Sequence, residues 1–296
     1  MSFKISNDKL VVLFDEPGAV YKGSRFDWGS QLTQIIWENK HTFCGVETTY
    51  NSLNTITGKG LCCEFGIDQP IGFDDCLVGE LFPKIGIGML TRNSIEPYIF
   101  SKLYQVLPAT FIINPISESV ISIICIAGDY RGFSYSLEKR YELINSSILI
   151  NYQLENTGTK MMTTNEYCHN FISINNLPIN QDYKLIFPQI INQDAIIENV
   201  NPDKVVNFNE NHLTWNNEPA SDFFFSGLTG KNEKINSWSI ENNKAGVGIT
   251  ESCSFIPDHC NLWGKRHVIS PELFFNISIK PGEDVQWQRK YELYKL

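Results

Sequence analysis

Apolar residues recurring every second position, interrupted at short intervals by Gly, Pro, Asn and Asp, restrict this 296-residue chain to antiparallel β structure. The clearest stretch is Ser147 to Glu155, where Ile148, Ile150, Tyr152 and Leu154 share one face and Asn151, Gln153 and Glu155 the other. Asn156-Thr157-Gly158 closes it with turn residues. Near the C-terminus Lys280-Pro281-Gly282-Glu283 makes another turn. Val285, Trp287, Arg289, Tyr291 and Leu293 then alternate with Gln286, Gln288, Lys290 and Glu292, as in a half-buried strand. Val120 to Ala127 is short, continuous and isoleucine-rich, so it reads as a strand buried on both faces. Helical periodicity is almost absent, and no repeat at a fixed period points to a propeller or solenoid. Many such strands in one chain imply a large sandwich.

Composition narrows the function classes. With 42% hydrophobic and 19% charged residues the chain can bury a large core, and no Gly/Ser/Pro-rich linker or charge run divides it. Residues 1–296 are therefore expected to form a single domain. Twenty-four basic against thirty-three acidic residues give a formal charge of −9, which argues against nucleic acid or an anionic membrane as partner. No run approaches the roughly 18 apolar residues that span a bilayer, and the first residues lack the apolar core of a signal peptide. A cytoplasmic location is expected, with the eight cysteines reduced and mostly buried. Cys253, His259 and Cys260 lie close together but lack a second paired-ligand knuckle, so no metal site is expected.

Four residues stand out as chemistry-bearing, each with a plain structural alternative. His169, in Glu166-Tyr167-Cys168-His169-Asn170-Phe171, is a proton donor or a buried polar side chain satisfied by its neighbours. Glu272, in Ser270-Pro271-Glu272, is a base or an edge-strand carboxylate in solvent. Asp222, heading Asp222-Phe223-Phe224-Phe225, is a ligand to substrate or a strand-capping aspartate. Arg25, followed by Phe26-Asp27-Trp28, offers a fork of donors or pairs with Asp15 or Asp27 at the surface.

Taken in order, several blocks resemble the aldose 1-epimerase (galactose mutarotase) superfamily, in particular a bacterial mutarotase-like branch. They are Tyr21 to Trp28, Glu64-Phe65-Gly66 with Lys84-Ile85-Gly86-Ile87-Gly88, Leu154 to Gly158, Glu166 to Asn175, Ser270-Pro271-Glu272 and Lys280 to Glu283. The resemblance implies an antiparallel β-supersandwich with a sugar site on a concave sheet face, and an isomerase that interconverts the α and β anomers of an aldose. It implies His169 as general acid, Glu272 as general base, and Arg25 and Asp222 as residues that orient sugar hydroxyls. The chemistry needs no metal and no cofactor, since a carboxylate and a histidine on either side of the anomeric centre suffice. The expected partner is a small-molecule sugar, and the expected assembly a monomer or homodimer.

The chain also departs from the family. Nothing matches the second, earlier histidine of conventional galactose mutarotases; His41 has the wrong neighbours, and Glu64 occupies roughly that stretch, either as a carboxylate that binds the sugar or in a pocket remodelled for a different substrate. Trp263 is the tryptophan expected to face a pyranose, because Trp263-Gly264-Lys265-Arg266-His267 leads into the Glu272 segment. Lys265, Arg266 and His267 raise the alternative of a hexose 6-phosphate 1-epimerase. The missing histidine raises that of a carbohydrate-binding or regulatory protein without turnover. A lyase acting on uronic acids would want a tyrosine base and a stronger basic cluster than this sequence holds.

Overall fold

In the computed structural model, which describes residues 2–29, 31–48, 57–228 and 235–296, the alternating segments become strands of four antiparallel sheets. The largest has ten strands, in the order Val206–Phe208, His212–Trp215, Tyr183–Ile186, Ser237–Asn242, Val247–Cys253, Asp284–Lys295, Ser147–Asn156, Phe133–Ile144, Val120–Tyr130 and Thr110–Ser117. A seven-stranded sheet follows the path Ser2–Ser6, Leu10–Asp15, Gln31–Trp37, Leu61–Phe65, Met162–Asn170 and Phe275–Ile279, with His41–Thr42 beside Gln31–Trp37. Four strands, Glu198–Val200, Phe223–Ser226, Cys260–Lys265 and Val268–Leu273, form a third sheet. The fourth comprises Leu81–Lys84, Gly88–Thr91 and Val106–Pro108. Among the described residues helical structure is limited to two three-residue 3-10 turns, and no helix is long and apolar enough to cross a membrane. The chain is all-β, as its period-two pattern requires.

Alternation decides what enters the core. Ile148, Ile150, Tyr152 and Leu154 are buried, as are Trp287, Arg289, Tyr291 and Leu293 on the neighbouring strand, while Gln153, Glu155, Gln286 and Glu292 face out. Register places Tyr152 opposite Trp287, and the rings stack 4.8 Å apart. The ten- and seven-stranded sheets meet through these faces: Phe14 packs edge-on against Tyr141, Phe65 against Trp287, and Cys63 contacts the Tyr152 hydroxyl at 3.3 Å. Each large apolar side chain so buried contributes about 1.5–3 kcal/mol. The Val120–Tyr130 strand departs from expectation. Its first half is buried on both sides, but Ile126 is 41% exposed, because the outer face of the sheet is uncovered there.

A polar cluster crosses this otherwise apolar interior. Arg289, fully buried on the ten-stranded sheet, donates to Glu251 at 2.5 Å, to Glu166 at 2.7 Å and to the Leu273 carbonyl at 2.9 Å. Asn170 donates to Glu251 at 3.0 Å and to the Pro271 carbonyl at 2.7 Å, and its carbonyl accepts from the Tyr291 hydroxyl at 2.8 Å. Trp238 completes the Glu251 carboxylate at 2.7 Å. Three sheets are thereby tied at one point, where one guanidinium serves two carboxylates and burial holds Glu251 above its ordinary pKa.

Removing one partner would strand charge in the interior, so Arg289→Ala should lower unfolding free energy by about 3–5 kcal/mol. Urea denaturation measures this; a loss below about 1 kcal/mol would show that the cluster does not hold the sheets.

Candidate active site

The Met162–Asn170 strand sorts its side chains by parity. Glu166, Cys168 and Asn170 point into the core between sheets; Tyr167 and His169 point to the opposite face, which borders a cleft of about 1080 Å³. This lies at the upper end of the size range of small-molecule sites. Past its last pairing the strand continues against Val268–Leu273. Ile172 bridges Ile269 in antiparallel register, the two exchanging N–H to carbonyl hydrogen bonds of 3.0 and 3.1 Å, and Asn170 N–H donates to Ser270 Oγ at 2.9 Å. Counting along that register sets residue 169 opposite residue 272. His169 Nε2 and Glu272 Oε1 are accordingly 3.3 Å apart, although 103 positions separate them in the chain.

Both groups are almost completely buried, at 4% and 5% exposure. The imidazole stacks on Phe171 at 3.9 Å and meets the Trp263 edge at 5.2 Å. Burial holds His169 well below its ordinary pKa, and the positive charges of Arg25 and Lys265 add to this. Burial likewise pushes Glu272 up to about 8, against the opposing pull of Arg25 and the 3.2 Å hydrogen bond from Ser270 Oγ. At neutral pH these shifts leave the pair's one exchangeable proton on the Glu272 carboxyl and the His169 imidazole uncharged.

Arg25 arises from a segment without regular structure, pinned by hydrogen bonds from Asp27 N–H to the Cys63 carbonyl (2.9 Å) and from Trp28 N–H to the Gly86 carbonyl (2.8 Å). Gly86 has φ +80°, and a β-carbon there would lie 2.3 Å from the Asp27 carboxyl, so glycine alone fits. Arg25 Nε donates to Glu64 at 2.9 Å and NH2 to the Tyr167 hydroxyl at 3.2 Å; Tyr167 in turn donates to Glu64 at 2.8 Å. The Lys84 ammonium contacts the other Glu64 oxygen at 3.3 Å. Glu64 is fully buried between these two cations, beneath the cleft lining, where it aims the guanidinium and makes no part of the cleft wall.

Five of the residues singled out in the sequence therefore gather here: Arg25, His169, Trp263 and Glu272 in the wall and Glu64 behind it. Two do not. Asp222 precedes the Phe223–Ser226 strand, its carboxylate is largely exposed, and it pairs with Lys265 at 3.6 Å outside the cleft. His267 contacts the Val46 carbonyl at 2.8 Å, also away from the cleft. Arg25 pairs with neither Asp15, which binds Lys59, nor Asp27, which binds Lys139. Tyr167, Asn261 and Phe274 also line the cleft and were not singled out in the sequence, and His259, considered there only as a metal ligand, lines it too. Tyr167, Phe274 and His259 form a continuous ring stack with spacings of 4.5 and 4.1 Å. Parity would have found Tyr167, two residues before His169 and on the same face.

Comparison with known proteins bears on the fold. No family model matches the chain, and no curated protein matches its sequence. Among solved structures, a galactose mutarotase-like protein from Lactobacillus casei superposes with a TM-score of 0.59 at 14% identity, covering 99% of this chain and 100% of its own. A galactose mutarotase-like protein from Clostridium acetobutylicum gives 0.59 at 10% identity, over 100% and 95% of the two chains. An aldose epimerase homologue from C. elegans gives 0.55 at 10% identity, over 100% and 99%. The chain has the galactose mutarotase-like sandwich fold.

The raised Glu272 pKa has a consequence for stability. The unfolded carboxyl, near 4.5, ionises before the folded one, near 8, so its favourable contribution is complete below pH 4.5 and is lost as pH rises to 8. Glu272→Gln removes that loss. The melting temperature of the variant should gain on wild type steadily from pH 4.5 to 8 and level off above; a difference independent of pH would contradict the shift.

Proposed function

We propose that the cleft binds a reducing aldose and interconverts its α and β anomers between His169 and Glu272. The observation that carries this reading is the 3.3 Å approach of two buried, oppositely acting proton-transfer groups beside an aimed guanidinium. Mutarotation consumes no net proton: one leaves the anomeric hydroxyl and one reaches the ring oxygen. A histidine and a carboxyl that share one mobile proton match that requirement.

When a sugar lies across the pair, the proton that burial leaves on Glu272 in the free site passes to His169, and Glu272 becomes a carboxylate. His169 Nε2 gives its proton to the ring oxygen as the bond from that oxygen to C1 breaks. Glu272 takes the proton of the anomeric hydroxyl as C1 becomes an aldehyde carbonyl. Rotation about C1–C2 presents the other carbonyl face, and the reverse transfers close the ring and restore both groups. Arg25 orients a hydroxyl, and Trp263 offers its ring to the apolar face of the sugar. Asp222 and His267 have no part in this reading.

Electrostatics favour a neutral aldose over a hexose 6-phosphate. Glu47, Asp68, Glu198 and Asp258 line the cleft along with Glu272, while Arg25 is the one lysine or arginine among the described lining residues. Lys265 and Arg266 are paired with Asp222 and Glu218. Eight unpaired cysteines, seven of them buried, fit the reducing cytoplasm as the place of action.

Polarimetry on freshly dissolved galactose and glucose tests the assignment. Wild type should speed the approach to equilibrium, and His169→Ala and Glu272→Gln should each lose at least about a hundredfold in kcat/KM while remaining folded. Near-wild-type rates in either folded variant would remove that residue from the chemistry. The pH profile gives a second check. The pair loses its mobile proton as pH rises through about 8, so kcat/KM should fall above that value; a rise through pH 8 would contradict the shared-proton reading.

A further inference from the structure

The floor of the cleft extends well past His169 and Glu272. Across the four-stranded sheet, register aligns Glu272 with Asn261, and Glu198 with Ser226. Phe225 opposes Leu262, which puts Ser226 beside Asn261; the Asn261 carboxamide oxygen indeed accepts from the adjacent Gly227 N–H at 3.2 Å. Glu272, Asn261, Ser226 and Glu198 thus form one polar row perpendicular to the strands, and all four line the cleft. Two residues along the strands on the same face, Trp263 and Phe224 are direct cross-strand partners, both half-buried and both lining.

Three interstrand steps separate Glu272 from Glu198, about 14 Å at the usual strand spacing. One pyranose ring over Glu272 leaves the Ser226–Glu198 half of this floor uncovered. The uncovered half is not featureless. Glu198 supplies carboxylate acceptors, the Asn261 amide hydrogens remain for an acceptor because its oxygen is taken, and Phe224 offers an apolar ring face. A hydroxyl edge over the polar row and a C–H face over the aromatic row is how a pyranose is matched by protein.

We infer that the cleft takes a reducing oligosaccharide of at least two sugar units, its reducing end at His169 and Glu272 and its next unit over Phe224, Ser226 and Glu198. The inference rests on the proposed anomer exchange for the placement of the reducing end, but the outer subsite stands on the register of the four-stranded sheet. A monosaccharide would occupy the inner half alone and forgo the outer contacts. The binding energy of the outer unit should then appear mainly as a lower KM, because that unit is remote from the bonds that change.

The test compares lactose, maltose, cellobiose and melibiose with galactose and glucose, by anomer-exchange NMR for turnover and by calorimetry for binding. At least one disaccharide should show a KM, and a calorimetric Kd, tenfold or more below those of its own reducing-end monosaccharide. Phe224→Ala should reduce that disaccharide-to-monosaccharide ratio of kcat/KM at least fivefold. Ser226→Tyr, which fills the outer half without removing core, should reduce it likewise and guards against a Phe224→Ala variant that fails to fold. Turnover of monosaccharides with no disaccharide preference overturns the outer subsite and leaves the anomer exchange standing. Tighter disaccharide binding without turnover overturns the exchange and supports the subsite. Absence of both binding and turnover for every sugar overturns the two together.

Discussion

A buried guanidinium sets the terms for the rest of this molecule. Arg289 has no access to water, so its charge must be answered from within, and two carboxylates on different strands, Glu166 and Glu251, do so. Once they are in place, Asn170 is drawn to the same Glu251 carboxylate and to the Pro271 carbonyl, and the Tyr291 hydroxyl caps its oxygen. These bonds fix the height of the Met162–Asn170 strand against Val268–Leu273. A one-residue slip there would turn every side chain to the opposite face and part His169 from Glu272. The interior cluster and the cleft-facing pair belong to two faces of one strand: even-numbered residues lock the register that brings His169 to Glu272.

The same division explains what the sequence discloses. Period-two alternation is a local property, and from it come the all-β class, the inward faces of Ser147–Asn156 and Asp284–Lys295, and the turns between. Pairing between distant strands is not a local property. Nothing in the neighbourhood of Glu272 says that it will face His169; that comes from the Ile172–Ile269 bridge and the polar cluster beside it, and only the resemblance of motifs linked the two beforehand. Asp222 shows the limit of parity alone. It shares the parity of Phe224 and Ser226, which do line the cleft, but it stands before the strand begins, where Lys265 is within reach and the cleft is not. Glu64 has a third outcome. Its type and place in the chain were notable, yet full burial between Arg25 and Lys84 makes it a support for the guanidinium.

Placing the pair in a nearly dry site has a cost and a purpose. Desolvation makes both ionised forms unfavourable, moving His169 down and Glu272 up until the carboxyl holds the proton and the imidazole is neutral. An isolated buried carboxylate would only destabilise the fold. Next to an imidazole on the facing strand it becomes half of a couple whose total charge need not change when one partner gives up a proton and the other takes one, as the proposed anomer exchange requires. The aromatic walls formed by Phe171, Trp263 and Tyr167 keep that couple dry, and so keep it poised.

The structure of the protein with a reducing sugar bound bears most directly on this account. It should place the anomeric carbon between His169 and Glu272, with the ring oxygen about 3 Å from His169 Nε2 and the anomeric hydroxyl at a similar distance from the Glu272 carboxylate. A sugar seated in the cleft with its anomeric centre turned away from both residues, while they keep their direct contact, would contradict it.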